Sequence, residues 1–152
     1  MKNRSAFICP SAKPYKYTDM YKTLGVRHRP QDIPSGYLIY AGTETGGGGD
    51  PRYQFLRINK IMYPTDWIHL GDSCYRPGHG PNYDLHQCYY LHFNGGGLET
   101  RIHIRHMGLA NMAFADGHVE ACTKYRIKQA AQREKPGTRV EVVENGAVVK
   151  IN

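Results

Sequence analysis

The sequence predicts an α+β fold dominated by an antiparallel sheet with long loops. Three features support this prediction: short apolar segments that alternate with a period of two, tight-turn pairs between such segments, and one segment with helical spacing. With 152 residues, of which 40% are hydrophobic, the chain can bury one core. We therefore expect a single globular domain over residues 1–152.

The first two thirds of the chain predict short strands separated by loops. Aromatic and β-branched residues predict strands at 36–41, 67–72, 89–93 and 101–105. A short helix or turn is expected at 55–61, and loops at 11–36, 43–50 and 73–88. The four consecutive glycines at 46–49 lack the Lys-Ser/Thr pair of a phosphate-binding loop, so we interpret them as a surface loop.

Asp116-Gly117 marks the turn of a hairpin within residues 105–123. A two-residue type I′ turn there would pair Phe114 with Val119 and Met112 with Ala121. That register places four apolar side chains on the core face: Met112, Phe114, Val119 and Ala121. It places four other side chains on the opposite face: Asn111, His118, Glu120 and Cys122.

Residues 124–152 predict a helix followed by a second hairpin. Apolar residues with helical spacing occur within 125–135, and Pro136-Gly137 ends the helix. These residues are Tyr125, Ile127, Ala130 and Ala131. A turn at Asn145-Gly146 then pairs three sets of residues across two strands. These pairs are Val142 with Val149, Val140 with Ile151, and Glu141 with Lys150.

The net charge of +7 is spread along the chain without a nucleic-acid-binding motif, so we expect no nucleic-acid partner. No apolar run is long enough to span a bilayer, and no signal peptide follows Met1. We therefore expect no membrane contact by this chain and no targeting segment within it.

The four cysteines, Cys9, Cys74, Cys88 and Cys122, are disulfide candidates in an oxidising compartment and free thiols or metal ligands in a reducing one. A bridge between Cys74 and Cys88 would close a loop rich in Pro, Gly and His. Some side chains around this loop suit zinc, but their spacing matches no common zinc module. They are Cys74, His79, His86, Cys88 and His92. We expect no metal and no cofactor.

His106, Asp116 and His118 could also hold a metal, since they offer two imidazoles and a carboxylate. Turn chemistry already accounts for Asp116 and Gly117, and hydrogen bonding accounts for His106 and Asn111, so we favour a structural role. Asp72 follows a strand, but no catalytic partner stands at a recognisable spacing. No nucleophile elbow is present. We therefore expect no enzymatic activity.

His106, nine intervening residues and Asp116-Gly117 resemble the prepilin-type processing-associated domain of pseudopilin-like proteins. The match extends to Arg105, to Ala110-Asn111 and to residues 114–119. Upstream, residues 7–11 resemble the Phe-x-Cys-Pro segment that follows the pilin helix. Residues 58–65 and 70–73 resemble the family's segment of a Pro turn and a strand ending in Asp.

This resemblance implies a pilin-like head and export to the periplasm or the cell exterior. It also implies assembly with itself or other pilin-like subunits in a type II secretion or type IV pilus-like filament. For an exported protein a disulfide is favoured over zinc at Cys74 and Cys88. The chain departs from the family in lacking the prepilin peptidase site and the long hydrophobic helix, and residues 124–152 lie outside the motif.

Two other functions stay open. The first is a secreted module that binds a glycan or a protein through a tyrosine-rich surface near Trp67. The tyrosines of that surface would be Tyr15, Tyr17, Tyr83, Tyr89 and Tyr90. The second is a metal-dependent hydrolase that uses the His, Asp and Cys side chains.

Overall fold

Three sheets, one short 3-10 helix and one α-helix make up the described part of the chain. The computed structural model describes residues 9, 25–27, 37–45, 51–75, 85–94 and 100–152. The first four strands are β1 (Gly25–Arg27), β2 (Leu38–Thr45), β3 (Pro51–Leu56) and β4 (Ile68–Gly71). Those that follow are β5 (Ser73–Tyr75), β6 (Tyr90–Leu91), β7 (Thr100–Ile104), β8 (Ala110–Phe114), β9 (Val119–Cys122), β10 (Val140–Glu144) and β11 (Ala147–Ile151). The α-helix α1 is Lys124–Glu134, and the 3-10 helix is Ile58–Lys60.

The strands form a five-stranded sheet of order β6-β1-β4-β8-β9, a four-stranded sheet of order β11-β10-β7-β5, and the pair β2-β3. Neighbouring strands are antiparallel except for two parallel pairs, β1 with β6 and β7 with β10. This sheet-dominated arrangement with one α-helix agrees with the predicted α+β class. Within the described residues, no helix has the length and hydropathy needed to span a membrane.

Two of the passages of the chain between the two larger sheets lie at the same place. Asp72 separates β4 in the first sheet from β5 in the second, and its N–H donates to the carbonyl of Asn111 at 3.1 Å. The return crossing joins β7 to β8 through a turn in which His106 and Leu109 exchange backbone hydrogen bonds of 2.9 and 3.1 Å. Met107 and Gly108 both have positive φ, as a type I′ turn requires. We call this meeting of two crossings the sheet corner.

The helix α1 packs against β9, β10 and β11. Its N-terminus is capped by Thr123, whose side chain accepts the N–H of Arg126 at 3.2 Å. The predicted helix is present, and Ile127, Ala130 and Ala131 are buried because they share one face of it. Tyr125, the fourth residue of the predicted spacing, is 67% exposed.

The C-terminal hairpin has the predicted register. Val142 pairs with Val149, Val140 with Ile151, and Glu141 with Lys150. Asn145 and Gly146 have φ values of 50° and 77°, consistent with the type I′ turn that an Asn-Gly pair favours.

The hairpin of β8 and β9 differs from its predicted register by one residue. Met112 pairs with Glu120 rather than Ala121. The N–H of Phe114 donates to the carbonyl of His118 at 2.9 Å, and the N–H of Gly117 donates to the carbonyl of Phe114 at 3.0 Å. The loop between Phe114 and His118 therefore has three residues, 115–117. Only its last residue, Gly117, has positive φ, at 95°. Asp-Gly therefore forms the end of a three-residue loop and not a two-residue turn.

This one-residue difference exchanges the two faces of β9. Val119 is 71% exposed and Ala121 is exposed, whereas Cys122 is fully buried, so all three were predicted on the wrong face. Met112 and Phe114 are buried as predicted, and Asn111 is exposed as predicted.

Several upstream elements also differ from prediction. The strand β5 lies in the segment predicted as a loop, because it pairs with β7 across the sheet corner. The strand β2 runs to Thr45, into another predicted loop, and pairs with the unpredicted β3. The 3-10 helix Ile58–Lys60 falls within the predicted short helix or turn. Predictions for residues 1–8, 10–24, 28–36, 46–50 and 76–84 lie outside the described residues.

Candidate functional site

The carboxylate of Asp72 lies at the centre of the sheet corner and is 1% exposed. Its Oδ2 accepts the backbone N–H of Asn111 at 2.7 Å and lies 3.1 Å from Nε2 of His106. Its Oδ1 lies 3.6 Å from Nε of Arg105. A buried carboxylate needs such partners, because leaving water without them is costly.

Arg105 places a permanent positive charge beside this carboxylate. Its side chain is 4% exposed, and Nη2 donates to the carbonyl of Ser73 at 2.7 Å. Because Ser73 directly follows Asp72, this bond fixes the guanidinium beside Oδ1. Arg105 therefore holds the carboxylate from the side opposite His106.

Cys9 reaches the same cluster from the beginning of the chain. Its Sγ lies 3.3 Å from Nε2 of His106, and the residue is 7% exposed. The fully buried amide of Gln87 fixes its backbone: Oε1 accepts the N–H of Cys9 at 2.8 Å, and Nε2 donates to its carbonyl at 3.0 Å. The Gln87 side chain thus bonds to Cys9 as a neighbouring peptide group would in a strand.

Cys9, Asp72 and His106 converge, and we call these three residues the corner cluster. Their potential ligand atoms all lie within 4.8 Å of one another. A Cys-His-Asp catalytic triad places the thiol at one ring nitrogen and the carboxylate at the other. In the corner cluster both groups approach Nε2, so the arrangement differs from that of a triad.

His103 lies next to the corner cluster and carries no charge at neutral pH. Burial lowers its pKa to about 4, and the positive charges of Arg105 and His106 lower it further. His103 therefore adds no positive charge near Asp72 at neutral pH.

The structure separates His106 from the other two residues of the predicted metal set. Asp116 and His118 lie at the far end of β8, where Oδ1 of Asp116 accepts the N–H of His118 at 3.2 Å and lies 2.6 Å from its Nδ1. The His118 ring stacks on Phe114 at 4.3 Å. The grouping of His106 with Asp116 and His118 is therefore wrong, and turn chemistry explains Asp116 as predicted.

A series of ion pairs runs from Asp116 in the turn to Arg126 in α1. Desolvation is the largest single effect on the pKa of Asp116 and raises it, but the hydrogen bonds from His118 and its charge together outweigh desolvation, so this pKa is lowered overall. Nε2 of His118 lies 3.8 Å from Glu120, which pairs with Arg126 at 3.2 Å. Arg126 also binds Asp66 at 2.7 Å. These partly buried pairs connect the hairpin to the loop before β4.

All four cysteines are free thiols in the structure, and all four are buried. Burial raises the pKa of Cys74 to about 12 against the charge of Arg105, and the neighbouring Cys88 raises it further. The pKa of Cys88 is also raised by burial. A disulfide between these two neighbours stays a prediction. His79 lies outside the described residues, and within them Cys74, His86 and Cys88 do not form a three-ligand group.

The predicted tyrosine-rich surface does not include Trp67. This side chain is fully buried, and the guanidinium of Arg27 lies 4.0 Å from its ring centroid. Tyr89 and Tyr90 are half-buried with ring centroids 3.8 Å apart. The remaining tyrosines predicted for this surface, Tyr15, Tyr17 and Tyr83, lie outside the described residues.

The sequence did not reveal that Asp72 and Cys9 both contact His106. The available signal was a carboxylate directly after an apolar strand segment, where a buried charge requires a partner. Nothing in the spacing joined Cys9 or Asp72 to His106, because three distant segments supply the corner cluster.

No protein-family model, curated protein or solved structure matches the chain. The geometry of the sheet corner and the sequence resemblance are therefore the grounds for a proposed function.

Proposed function

We propose that this chain is the pilin-like globular head of an exported, pseudopilin-like protein. In this proposal the head acts without enzymatic activity, by protein–protein contact in a type II secretion or type IV pilus-like assembly. The observation that carries the proposal is the convergence of Cys9, Asp72 and His106.

The three residues of the corner cluster come one each from three segments that resemble the family: 7–11, 70–73 and the His106 motif. The segments are far apart in the chain, and each is a weak resemblance by itself. Their contact in space supplies a physical reason for them to occur together. It supports the resemblance, because unrelated local matches have no reason to meet in one buried cluster.

The corner cluster also suits the mechanical role of such a head. In a pseudopilin-like protein the chain arrives from an N-terminal helix and must be fastened to the sheet. Here Cys9 is held by Gln87 through two hydrogen bonds to its backbone and contacts His106. These contacts link Cys9 to both larger sheets, since Asp72 and His106 lie on two of the passages between those sheets.

Several large apolar side chains are exposed and give positions at which to test assembly. Each is at least two-thirds exposed: Ile58, Met62, Met107, Val119 and Tyr125. Val119 is the first residue of β9, and Tyr125 lies in the first turn of α1. Single exposed apolar residues are common, so contact at these positions has to be measured directly.

The experiment is photo-crosslinking of the full-length protein in its own cells. A photoreactive residue replaces Val119 or Met62, and exposed Arg139 serves as the matched control position. We expect adducts with subunits that carry a prepilin leader, identified by mass spectrometry, at Val119 or Met62 and not at Arg139. The absence of such adducts, with no prepilin leader in the upstream reading frame, would favour the secreted binding module.

A further inference from the structure

The nitrogen Nε2 of His106 has two close polar neighbours, and a single proton on it can be directed well at only one of them. It lies 3.3 Å from Sγ of Cys9 and 3.1 Å from Oδ2 of Asp72. An Nε2–H group donates its single proton mainly in one direction. If Nε2 instead accepts the thiol proton of Cys9, its lone pair also faces the Asp72 carboxylate, which is unfavourable.

A cation bound between the three side chains would satisfy both contacts at once. In tetrahedral zinc sites the metal lies about 2.3 Å from sulfur and about 2.0–2.2 Å from nitrogen and oxygen. Such bonds place sulfur and nitrogen about 3.5 Å apart, and nitrogen and oxygen about 3.4 Å apart. The observed separations of 3.3 and 3.1 Å are close to these edges of a tetrahedron.

The donor set selects the class of metal. Sulfur and imidazole nitrogen suit zinc and similar transition-metal ions, whereas calcium and magnesium take oxygen ligands. Thiolate and carboxylate together offset the charge of a divalent ion. Three protein ligands leave the fourth position open to water.

The surroundings already orient these ligands. Asn111 donates its backbone N–H to Oδ2 of Asp72, and Arg105 lies against the other oxygen. Gln87 fixes the backbone of Cys9. Such outer contacts are typical of metal sites, because they hold the ligands in place before the ion binds.

We propose that Cys9, Asp72 and His106 form a zinc-class transition-metal site that fastens Cys9 to the sheet corner. This inference goes beyond the assembly proposal and is tested on the isolated chain. A failure of crosslinking in cells therefore leaves it standing, and a failure to bind metal leaves the assembly proposal standing.

The test is titration of the full chain, purified without a histidine tag and stripped of metal, with cobalt(II). We expect one equivalent to bind with a sulfur-to-cobalt charge-transfer band, and zinc to displace it. Cys9→Ser should abolish the band. His106→Gln should weaken binding at least tenfold, since loss of even an outer-shell partner commonly weakens metal binding by about 10–100-fold.

Two variants serve as matched controls. Cys122→Ser removes another buried thiol, and His118→Gln removes a histidine at the far end of β8. Both should keep one equivalent of cobalt and the charge-transfer band. Circular dichroism checks that every variant is folded.

A measurement on the unmodified protein keeps the test independent of folding defects. Zinc should slow alkylation of Cys9 at least tenfold relative to the metal-free protein, as mapped by peptide mass spectrometry. The proposal is overturned if zinc leaves the alkylation of Cys9 unchanged. It is also overturned if the charge-transfer band persists in Cys9→Ser or disappears in Cys122→Ser.

Discussion

The carboxylate of Asp72 lies 3.1 Å from Nε2 of His106, at the corner where the chain passes twice between its two larger sheets. The backbone of Asp72 takes part as well, because its N–H bonds to Asn111 and its carbonyl accepts the N–H of His103 at 3.0 Å. Side-chain and backbone bonds of one residue thus join β4 and β5 to β7 and β8. Stability should depend strongly on this carboxylate.

Asp72→Asn tests that dependence. The substitution keeps the side-chain volume but removes the negative charge beside Arg105, which is itself only 4% exposed. Removing one partner of a buried pair leaves the other charge uncompensated. We expect a loss of about 3 kcal/mol in the free energy of unfolding. Urea denaturation with a chelator present measures this loss without a contribution from metal.

Asp116→Asn is the matched control for Asp72→Asn, because Asp116 is a partly exposed carboxylate that also contacts a histidine. Asp116→Asn should change the free energy of unfolding by about 1 kcal/mol or less. If Asp72→Asn and Asp116→Asn lowered the free energy of unfolding equally, the carboxylate of Asp72 would have no special role in stability.

The two hairpins show what turn chemistry can and cannot predict. Asn145-Gly146 specifies a two-residue turn, and the valines on both strands agree with a single register, so every pair was predicted correctly. Asp116-Gly117 is compatible with both a two-residue and a three-residue loop. Small apolar residues such as Ala113 and Ala121 fit either face, so the apolar pattern did not resolve the one-residue difference.

The corner cluster was beyond prediction for a different reason. The sequence indicated that His106 needs a polar partner, which is confirmed by its contact with Asp72. Identifying that partner requires the pairing of β4 with β8 and of β5 with β7. Those pairings follow from tertiary contacts between distant segments and not from local spacing.

Gly117→Val tests the corrected hairpin turn. A Cβ atom at Gly117 would meet nothing within 4 Å, so the substitution introduces backbone strain at φ +95° without a steric clash. We expect a loss of about 1–2 kcal/mol in stability, measured by urea denaturation. Ala121→Val, at an exposed strand position of the same hairpin, should stay within about 0.5 kcal/mol of the parent protein.

Asp116→Ala tests the same turn through its side chain. It removes the acceptor of the His118 N–H, and we expect a loss of about 1 kcal/mol by the same measurement. If neither Gly117→Val nor Asp116→Ala changed stability while both abolished assembly, the motif would be a functional site instead of a structural turn.

Glu134 predicts a dependence of stability on pH. Its carboxylate oxygens are buried and accept no hydrogen bond from the described residues. Burial raises its pKa to about 7 against the charge of Arg27, and Asp66 raises it further. The folded state therefore binds the proton more tightly than the unfolded state. This contribution to stability is present at low pH and is lost as the pH rises through 7.

Glu134→Gln should accordingly raise the melting temperature at about pH 8 and change it little below about pH 4.5. Glu144→Gln is the control. Glu144 pairs with Lys124 at 2.6 Å, so removing its charge should not stabilise the protein. A melting temperature that does not rise at high pH in Glu134→Gln would contradict the assigned effect of burial.

The burial of Cys74 and Cys88 determines when a disulfide between them could form. Thiolates are the species that oxidise, and burial raises the pKa of Cys74 to about 12, so the folded, reduced protein should oxidise and alkylate slowly at this residue. We expect the bridge to form during export, before β5 packs, and to add about 3 kcal/mol of stability by closing its loop.

Non-reducing mass spectrometry of the exported protein should detect one Cys74–Cys88 link. Four free thiols would show that no bridge forms, and a link that forms rapidly in the folded, reduced protein would contradict the protection assigned to Cys74.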